Sequence, residues 1–215
     1  MPRLLELMAG TGSIGKAFRA LGWEVVSLDM DPKTHPDIVA DVLTWDPGEP
    51  DAYDCVWCSP PCTEFSRALT TRARDLDAGR RVVARCLEII RHLRPKVWFI
   101  ENPGTGLLPR DPLVSELPFK MVTYCKYGSE DHRYRKLTWI ATNVFFWTPE
   151  PCCCKASPCE WLEEGRHPEC AQRGPTKCKQ GWRGGHCTQK QLYSMPPKLC
   201  LEIAEVATLA AQYTT

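Results

Sequence analysis

No stretch of this sequence approaches the ~20 consecutive apolar residues that a membrane-spanning helix needs. Nor does Met1-Pro2-Arg3, which runs straight into Leu4-Leu5-Glu6-Leu7-Met8, leave room for the apolar core and small-residue cleavage site of a secretory leader. Heptads, glycine-every-third repeats and low-complexity tracts are missing too, which excludes coiled coil, collagen and extended disorder. Net charge is nearly absent, at +1 from 27 Lys/Arg against 26 Asp/Glu. What remains is a globular composition, 43% hydrophobic and 25% charged, in 215 residues: one core with room for a small appendage and no second full-sized domain. With no leader and no membrane segment, the chain is expected in the cytoplasm.

The near-neutral total conceals a division. Residues 1–54 hold four Lys/Arg against ten Asp/Glu, whereas 67–96 hold nine against three and 152–190 seven against four. Local basic surface is what meets phosphate, so the total does not exclude a polyanion partner; a solvated helix face is the plainer reading of the same run. Cysteine is unevenly spread as well. Seven of the thirteen fall between Cys152 and Cys187, a local density that in a chain without a leader reads as a metal site more readily than as a disulfide framework.

The first half alternates strand and helix. Leu4 to Met8 reads as a strand, Ile14, Ala17, Phe18 and Leu21 carry helical spacing, and Val25 to Leu28 reads as a second strand. A strand from Tyr53 to Trp57, a helix from Asp77 to Leu93 and a strand from Val97 to Ile100, stopped by Asn102-Pro103-Gly104, continue the pattern. Lys120 to Tyr124 and Leu137 to Thr142 read as further strands, and Pro196 to Ala211 as a helix with proline at its start. Such alternation predicts an α/β fold, a doubly wound and mostly parallel sheet. Between Pro149 and Lys190 periodicity fails and turn residues dominate, which reads as a small insertion stapled by metal.

Three sites of chemistry lie on this frame. Gly10, Gly12 and Gly15 follow the first strand and open a helix, where bare backbone and free N–H groups accept a polar or anionic ligand. Asp29, ending the second strand, stands where an adenosyl ribose would be met, Met30 could cover an adenine face, and Asp41-Val42 could meet its amino edge. Cys62 sits on the proline-bounded loop Cys58-Ser59-Pro60-Pro61-Cys62, at the edge of the sheet where a nucleophile is both stiffly held and exposed. Glu101 arrives at the same edge on the next strand, and Arg133 and Arg135 share one side of an extended segment.

Taken in order, these segments resemble the cytosine-5 DNA methyltransferase family. The matches are Glu6-Leu7-Met8-Ala9-Gly10-Thr11-Gly12 for the cofactor loop, Pro60-Pro61-Cys62-Thr63-Glu64-Phe65-Ser66 for the nucleophile loop, and Glu101-Asn102-Pro103 for the Glu-Asn-Val motif. Arg133-Tyr134-Arg135 matches the Gln-x-Arg-x-Arg motif, and Tyr193-Ser194-Met195-Pro196-Pro197 the C-terminal motif that folds back on the cofactor site. The resemblance implies a Rossmann-like fold, S-adenosylmethionine as methyl donor and DNA as partner. It implies cofactor contacts from Glu6, Met8, Ala9, Gly10, Thr11, Gly12, Ile14, Pro60 and Ser194 beside Asp29, Met30, Asp41 and Val42. Pro61, Phe65, Ser66, Arg67 and Asn102 would lie on the substrate side. In the chemistry it implies, the Cys62 thiolate adds to C6 of cytosine, Glu101 supports a proton on N3, Arg135 holds the base carbonyl and Arg133 a phosphate or the active-site loop. The base must be flipped out of the stack or single-stranded. The arginines at 67, 72, 74, 80 and 81 follow the nucleophile loop, where the family closes over DNA.

Asp131 stands where the family has Gln, Pro103 where it has Val, and Met8 where it has Phe. The large target-recognition region of the family is replaced by the cysteine-rich stretch, as in compact phage or viral members. The expected organisation is therefore a catalytic domain over 1–148, an insertion over 149–190 and a returning helix over 191–215. Target recognition would be short, absent or borrowed from a protein partner. Structural zinc is expected on ligands drawn from Cys152, Cys153, Cys154, Cys159, His167, Cys170, Cys178, His186 and Cys187, with Trp161 and Trp182 packed around it. Basic residues 155, 166, 173, 177, 179 and 183 around it could make it a minimal DNA contact. Two alternatives remain open: the same chemistry on RNA or a free cytosine nucleotide, and a non-catalytic zinc module that binds nucleic acid on a methyltransferase scaffold.

Overall fold

The computed structural model describes residues 1–151, 157–163, 165, 167–171 and 185–213, with backbone alone at 185 and 186. Among the described residues, nine strands and four α-helices run in the order β1 (Arg3–Leu7), α1 (Ser13–Ala20), β2 (Glu24–Asp29), β3 (Ile38–Val39), β4 (Cys55–Cys58), α2 (Leu76–Leu93), β5 (Val97–Pro103), β6 (Phe119–Thr123), β7 (Leu137–Thr142), β8 (Glu169–Cys170), β9 (Gly185–His186), α3 (Gln189–Tyr193) and α4 (Pro197–Tyr213).

Seven strands form one sheet in the order β3-β2-β1-β4-β5-β7-β6. From β3 to β5 every pairing is parallel, while β7 pairs antiparallel with both β5 and β6, giving the mostly parallel sheet that the alternation predicts. The short strands β8 and β9 pair in a separate two-stranded sheet. No helix among the described residues is long and apolar enough to cross a membrane.

The central strands are apolar on both faces because helices cover both. Leu4, Trp57 and Phe99 point into one core with Ile14 and Phe18 of α1 and Leu199, Ile203, Ala204 and Ala207 of α4. Leu5, Leu7, Val56 and Ile100 point into the other with Val83, Cys86, Ile89 and Ile90 of α2. Small residues on the packed face of α4 let it lie close to α1. The helix starts where Asp75 accepts a hydrogen bond from the Ala78 amide at 2.8 Å, which fixes the beginning of α2.

The expected stop of β5 at Ile100 is corrected. The strand continues through Glu101 and Asn102 to Pro103, because β7 pairs alongside it with Glu101 opposite Ile140 and Pro103 opposite Thr138. Glu101 and Asn102 are thus held in a sheet and not in a turn.

Candidate active site

Strands β1, β4 and β5 lie side by side and parallel, so the loops leaving their carboxyl ends meet on one edge. After β1 the chain takes up left-handed conformations at Met8, Gly10 and Gly12, with φ of 55°, 52° and 64°. Glycine is suited to the last two because it has no Cβ to clash there. The loop is latched from β2: Gly10 N donates to Asp29 Oδ2 at 2.8 Å and Asp31 N donates to Asp29 Oδ1 at 2.9 Å. Asp29 therefore holds the glycine cradle with one oxygen and its own turn after β2 with the other. Met30 beside it is exposed. Asp41 accepts from Leu43 N at 3.0 Å and holds a turn.

Glu6 lies under the same loop. Its carboxylate accepts from Gly15 N at 3.1 Å, and burial pushes its pKa up to about 7 against the hydrogen bonds from the loop and the charge of Arg19. The C-terminal segment docks where the sequence expects it: Met195 N donates to Ser13 Oγ at 3.3 Å, and Ser13 Oγ lies 2.7 Å from Thr11 Oγ1. Ser194 Oγ is 3.0 Å from His132 Nε2, and His132 Nδ1 is 3.0 Å from Ser129 Oγ. His132 thus joins the arginine segment to the C-terminal motif. The sequence reading missed it, since a lone histidine in a polar loop gives no periodic signal.

The nucleophile loop is tied at both ends. Asn102 Nδ2 donates to Pro60 O at 2.9 Å in the interior, and Leu107 N donates to Phe65 O at 2.9 Å. Glu64 takes up Arg72 and accepts from Asp75 N at 2.7 Å, and Arg74 donates to Ser66 O at 3.0 Å. Arg72 and Arg74, expected on phosphate, are thereby engaged in holding this loop. Arg80 pairs with Asp111 at 2.9 Å and Asp77 at 3.1 Å, while Pro61, Arg67 and Arg81 are exposed.

Cys62 and Glu101 come together on this frame. Burial raises the Cys62 thiol above its ordinary value, and the Glu101 carboxylate raises it further. Burial also raises Glu101, whose Oε1 is enclosed without a hydrogen-bond partner among the described residues. An orphaned carboxylate oxygen beside a half-buried thiol is a polar pair awaiting a ligand with a donor of its own. The cation that lowers both is Lys136, which lies 4.7 Å over the Tyr124 ring and donates to Leu192 O at 3.0 Å.

The two arginines are not gathered there. Tyr134 between them is fully buried, so both side chains leave on the other side: Arg133 pairs with Glu169 at 2.9 Å and Arg135 is exposed, its charge felt by His167. Lys136 could have been read from the same alternation, since the residue two after an inward Tyr134 points inward again. Ile14, Val42 and Phe65 are buried among apolar neighbours, because each faces the sheet or a covering helix.

Of the expected metal ligands, Cys152, Cys153, Cys154, Cys178 and the side chain of His186 lie outside the described residues, as do Trp182 and the basic positions 155, 166, 173, 177, 179 and 183. Cys159 and His167 come together, with Sγ and Nε2 3.3 Å apart, and are joined by Cys125 from the catalytic body. Cys170 and Cys187 are elsewhere, the Cys187 thiol donating to Cys170 O at 3.2 Å, and neither is part of that group.

No protein-family model matches the chain. It is 33% identical over 222 residues to the "Probable DNA (cytosine-5)-methyltransferase" of Frog virus 3 (isolate Goorha), an alignment that takes in 95% of this chain and 99% of the relative. The chain belongs to the DNA cytosine-5 methyltransferase family. Solved structures it is similar to include the S. pombe Dnmt2 methyltransferase, at 16% identity and a TM-score of 0.49 over 69% of this chain and 52% of that one. Another is the Entamoeba histolytica methyltransferase EhMeth, at 14% identity and a TM-score of 0.48 over 66% and 52%. The chain thus spans about half the length of these solved methyltransferases, while it matches the viral methyltransferase end to end.

Proposed function

We propose that this chain methylates C5 of cytosine in DNA, taking the methyl group from S-adenosylmethionine and using Cys62 as the attacking thiol. The observation that carries the reading is the pairing of Cys62 with Glu101 at the end of β4 and β5, one with a raised thiol and the other with a buried, unpartnered oxygen. The glycine cradle fits the cofactor: two left-handed glycines leave bare backbone at the mouth of α1, and Asp29 fixes their course. Glu6, Met8, Ala9, Gly10, Thr11, Gly12, Pro60 and Ser194 would line that side. The cofactor supplies an electrophilic methyl group when bound.

The chain's own residues do the rest. Cytosine C5 is a weak nucleophile, so the Cys62 thiolate adds to C6, forming an S–C bond and moving the ring electrons to C5. Glu101, whose carboxyl pKa burial raises, donates a proton to N3 and keeps the ring from accumulating charge. That proton also removes the carboxylate that opposes thiolate formation, so protonating one group favours ionising the other. Lys136 adds a fixed positive charge in favour of the thiolate. Methyl transfer to C5, loss of the C5 proton to a base and expulsion of the Cys62 thiolate then restore the aromatic ring. Pro61 and Ser66 frame the base, Asn102 fixes Pro60, and Arg67 and Arg81 are exposed for phosphate.

The insertion over 149–190 stands in place of a large target-recognition domain and is read as a zinc-stapled segment that includes Cys159 and His167. A protein partner could supply target choice. The test is transfer of a tritiated methyl group from labelled S-adenosylmethionine to DNA, with RNA and dCMP as competitors. Cys62→Ser should abolish transfer, with a loss of 10³-fold or more on the order expected for a missing nucleophile. Unchanged transfer in that variant, or incorporation into RNA or dCMP in preference to DNA, would overturn the proposal.

A further inference from the structure

Cys125 carries no part in the proposed chemistry and lies outside the cysteine-rich stretch. Its surroundings tie it to that stretch all the same. It lies in the short turn of 3₁₀ helix over Tyr124–Tyr127 that follows β6, part of the catalytic body, yet its sulfur comes within 4.8 Å of both Cys159 Sγ and a ring nitrogen of His167 in the insertion. Ligands about 2.0–2.3 Å from a tetrahedral zinc sit about 3.5 Å from one another. The 3.3 Å between Cys159 and His167 meets that spacing, and Cys125 closes the triangle from the opposite segment. Two soft sulfurs with an imidazole select zinc over the oxygen-seeking cations.

Independent contacts locate the consequence. The segment 128–135, which carries both arginines, begins three residues after Cys125. At its start the Trp161 indole packs so closely on Gly128 that a Cβ there would overlap Trp161 Nε1 and Cδ1. Next to Cys125, Lys126 Nζ donates to both the carbonyl and the hydroxyl of Ser157. At the far end Tyr134 bridges to Glu169, and Glu169 takes Arg133 at 2.9 Å. The insertion therefore grips both ends of the arginine segment, and the side chains of Cys125, Cys159 and His167 would be the fixed point of that grip once a metal completes them.

We propose that Cys125, Cys159 and His167 bind one zinc ion that clamps the insertion onto the catalytic body and holds the segment bearing Arg133 and Arg135 in place. A water or a further donor takes the fourth position. The inference rests on the zinc-stapled reading of the insertion and deepens it, because it puts a ligand outside the insertion and gives the metal a task at the active-site edge.

The experiment uses the whole wild-type chain. Bound metal is measured by mass spectrometry, zinc is then withdrawn with a chelator, and thiol alkylation and backbone hydrogen exchange are followed residue by residue. Cys125 and Cys159 should become alkylated at the same rate, matching zinc release, and the amides of 128–135 should exchange roughly tenfold faster or more once the local fold is loosened. In parallel, Cys125→Ser should lose one zinc per chain and Cys125→His should regain it. A wild-type chain that binds no zinc overturns both this inference and the stapled insertion. If zinc is bound but Cys125 stays unreactive while Cys159 reacts, the insertion keeps its metal and the clamp alone is refuted. Joint release with unchanged exchange over 128–135 refutes the task assigned to the clamp.

Discussion

Glu6 offers a sharp test of the electrostatics beneath the cofactor cradle. Burial holds its folded-state pKa at about 7 against an ordinary value of 4.5, although Gly15 N donates to it and Arg19 lies near. Folding therefore disfavours the ionised form. Below about pH 4.5 the carboxyl is protonated in both states and costs nothing. As pH rises towards 7 the unfolded chain releases its proton and the folded one does not, so stability falls, and above 7 the penalty levels off. At 1.36 kcal/mol per pH unit the whole effect is about 3 kcal/mol, of which about 2.5 kcal/mol appears between pH 5 and pH 8. Glu6→Gln keeps the shape and the oxygen that accepts from Gly15 but cannot ionise. Urea unfolding of both proteins at pH 5 and pH 8 gives a double difference in which any pH-independent cost of the amide cancels. The variant should gain on the wild type by about 2 to 3 kcal/mol from the lower to the higher pH. Equal differences at the two pH values, or a loss on the alkaline side, would refute the assignment of a desolvated carboxyl.

Other consequences concern the nucleophile and its loop. Lys136→Met removes the cation that lowers both Cys62 and Glu101, so the rising limb of the pH–rate profile should move to higher pH. Methyl transfer at neutral pH should fall by roughly tenfold, while an unmoved limb would show that the charge does not reach the thiol. Gly79→Ala places a Cβ 2.9 Å from Phe65 Cε2 and 3.2 Å from Glu64 Cβ, under the nucleophile loop. The crowding should cost about 1–3 kcal/mol, only partly offset by the better helix former in α2, and a calorimetric melt that rises instead would refute the contact.

Much of this arrangement is legible in the residues. Hydrophobic periodicity finds β1, α1, β2, β4, α2, β6, β7 and α4 within a few residues, because each buries an apolar face whose spacing is local. The parallel order of β1, β4 and β5 follows from the helices between them, and with it the meeting of the Cys62 and Glu101 loops. Strand order beyond β5 is another matter. Reading β6 and β7 as two further strands does not reveal that β7 inserts between β6 and β5, since that choice is made by long-range packing. Strand β3 has two residues, too few for any period. Ile14, Val42 and Phe65 hold positions beside the site, and their apolar side chains lie in the core.

The cysteine-rich stretch shows why spacing alone misdirects. Close neighbours in sequence suggest a self-contained knuckle, but a segment of about forty residues buries too little apolar surface to stand alone. Beside the contacts within it, several run outward to the catalytic body: Ser157 to Lys126, Trp161 to Gly128, Glu169 to Arg133 and Tyr134, and the Cys159–His167 pair to Cys125. A segment held in this way gains its order from the surface it grips and returns that order to the same surface. Loosening it should therefore be felt first between Gly128 and Arg135, where catalysis would need the arginine segment to stay in place, and only afterwards in the seven-stranded core.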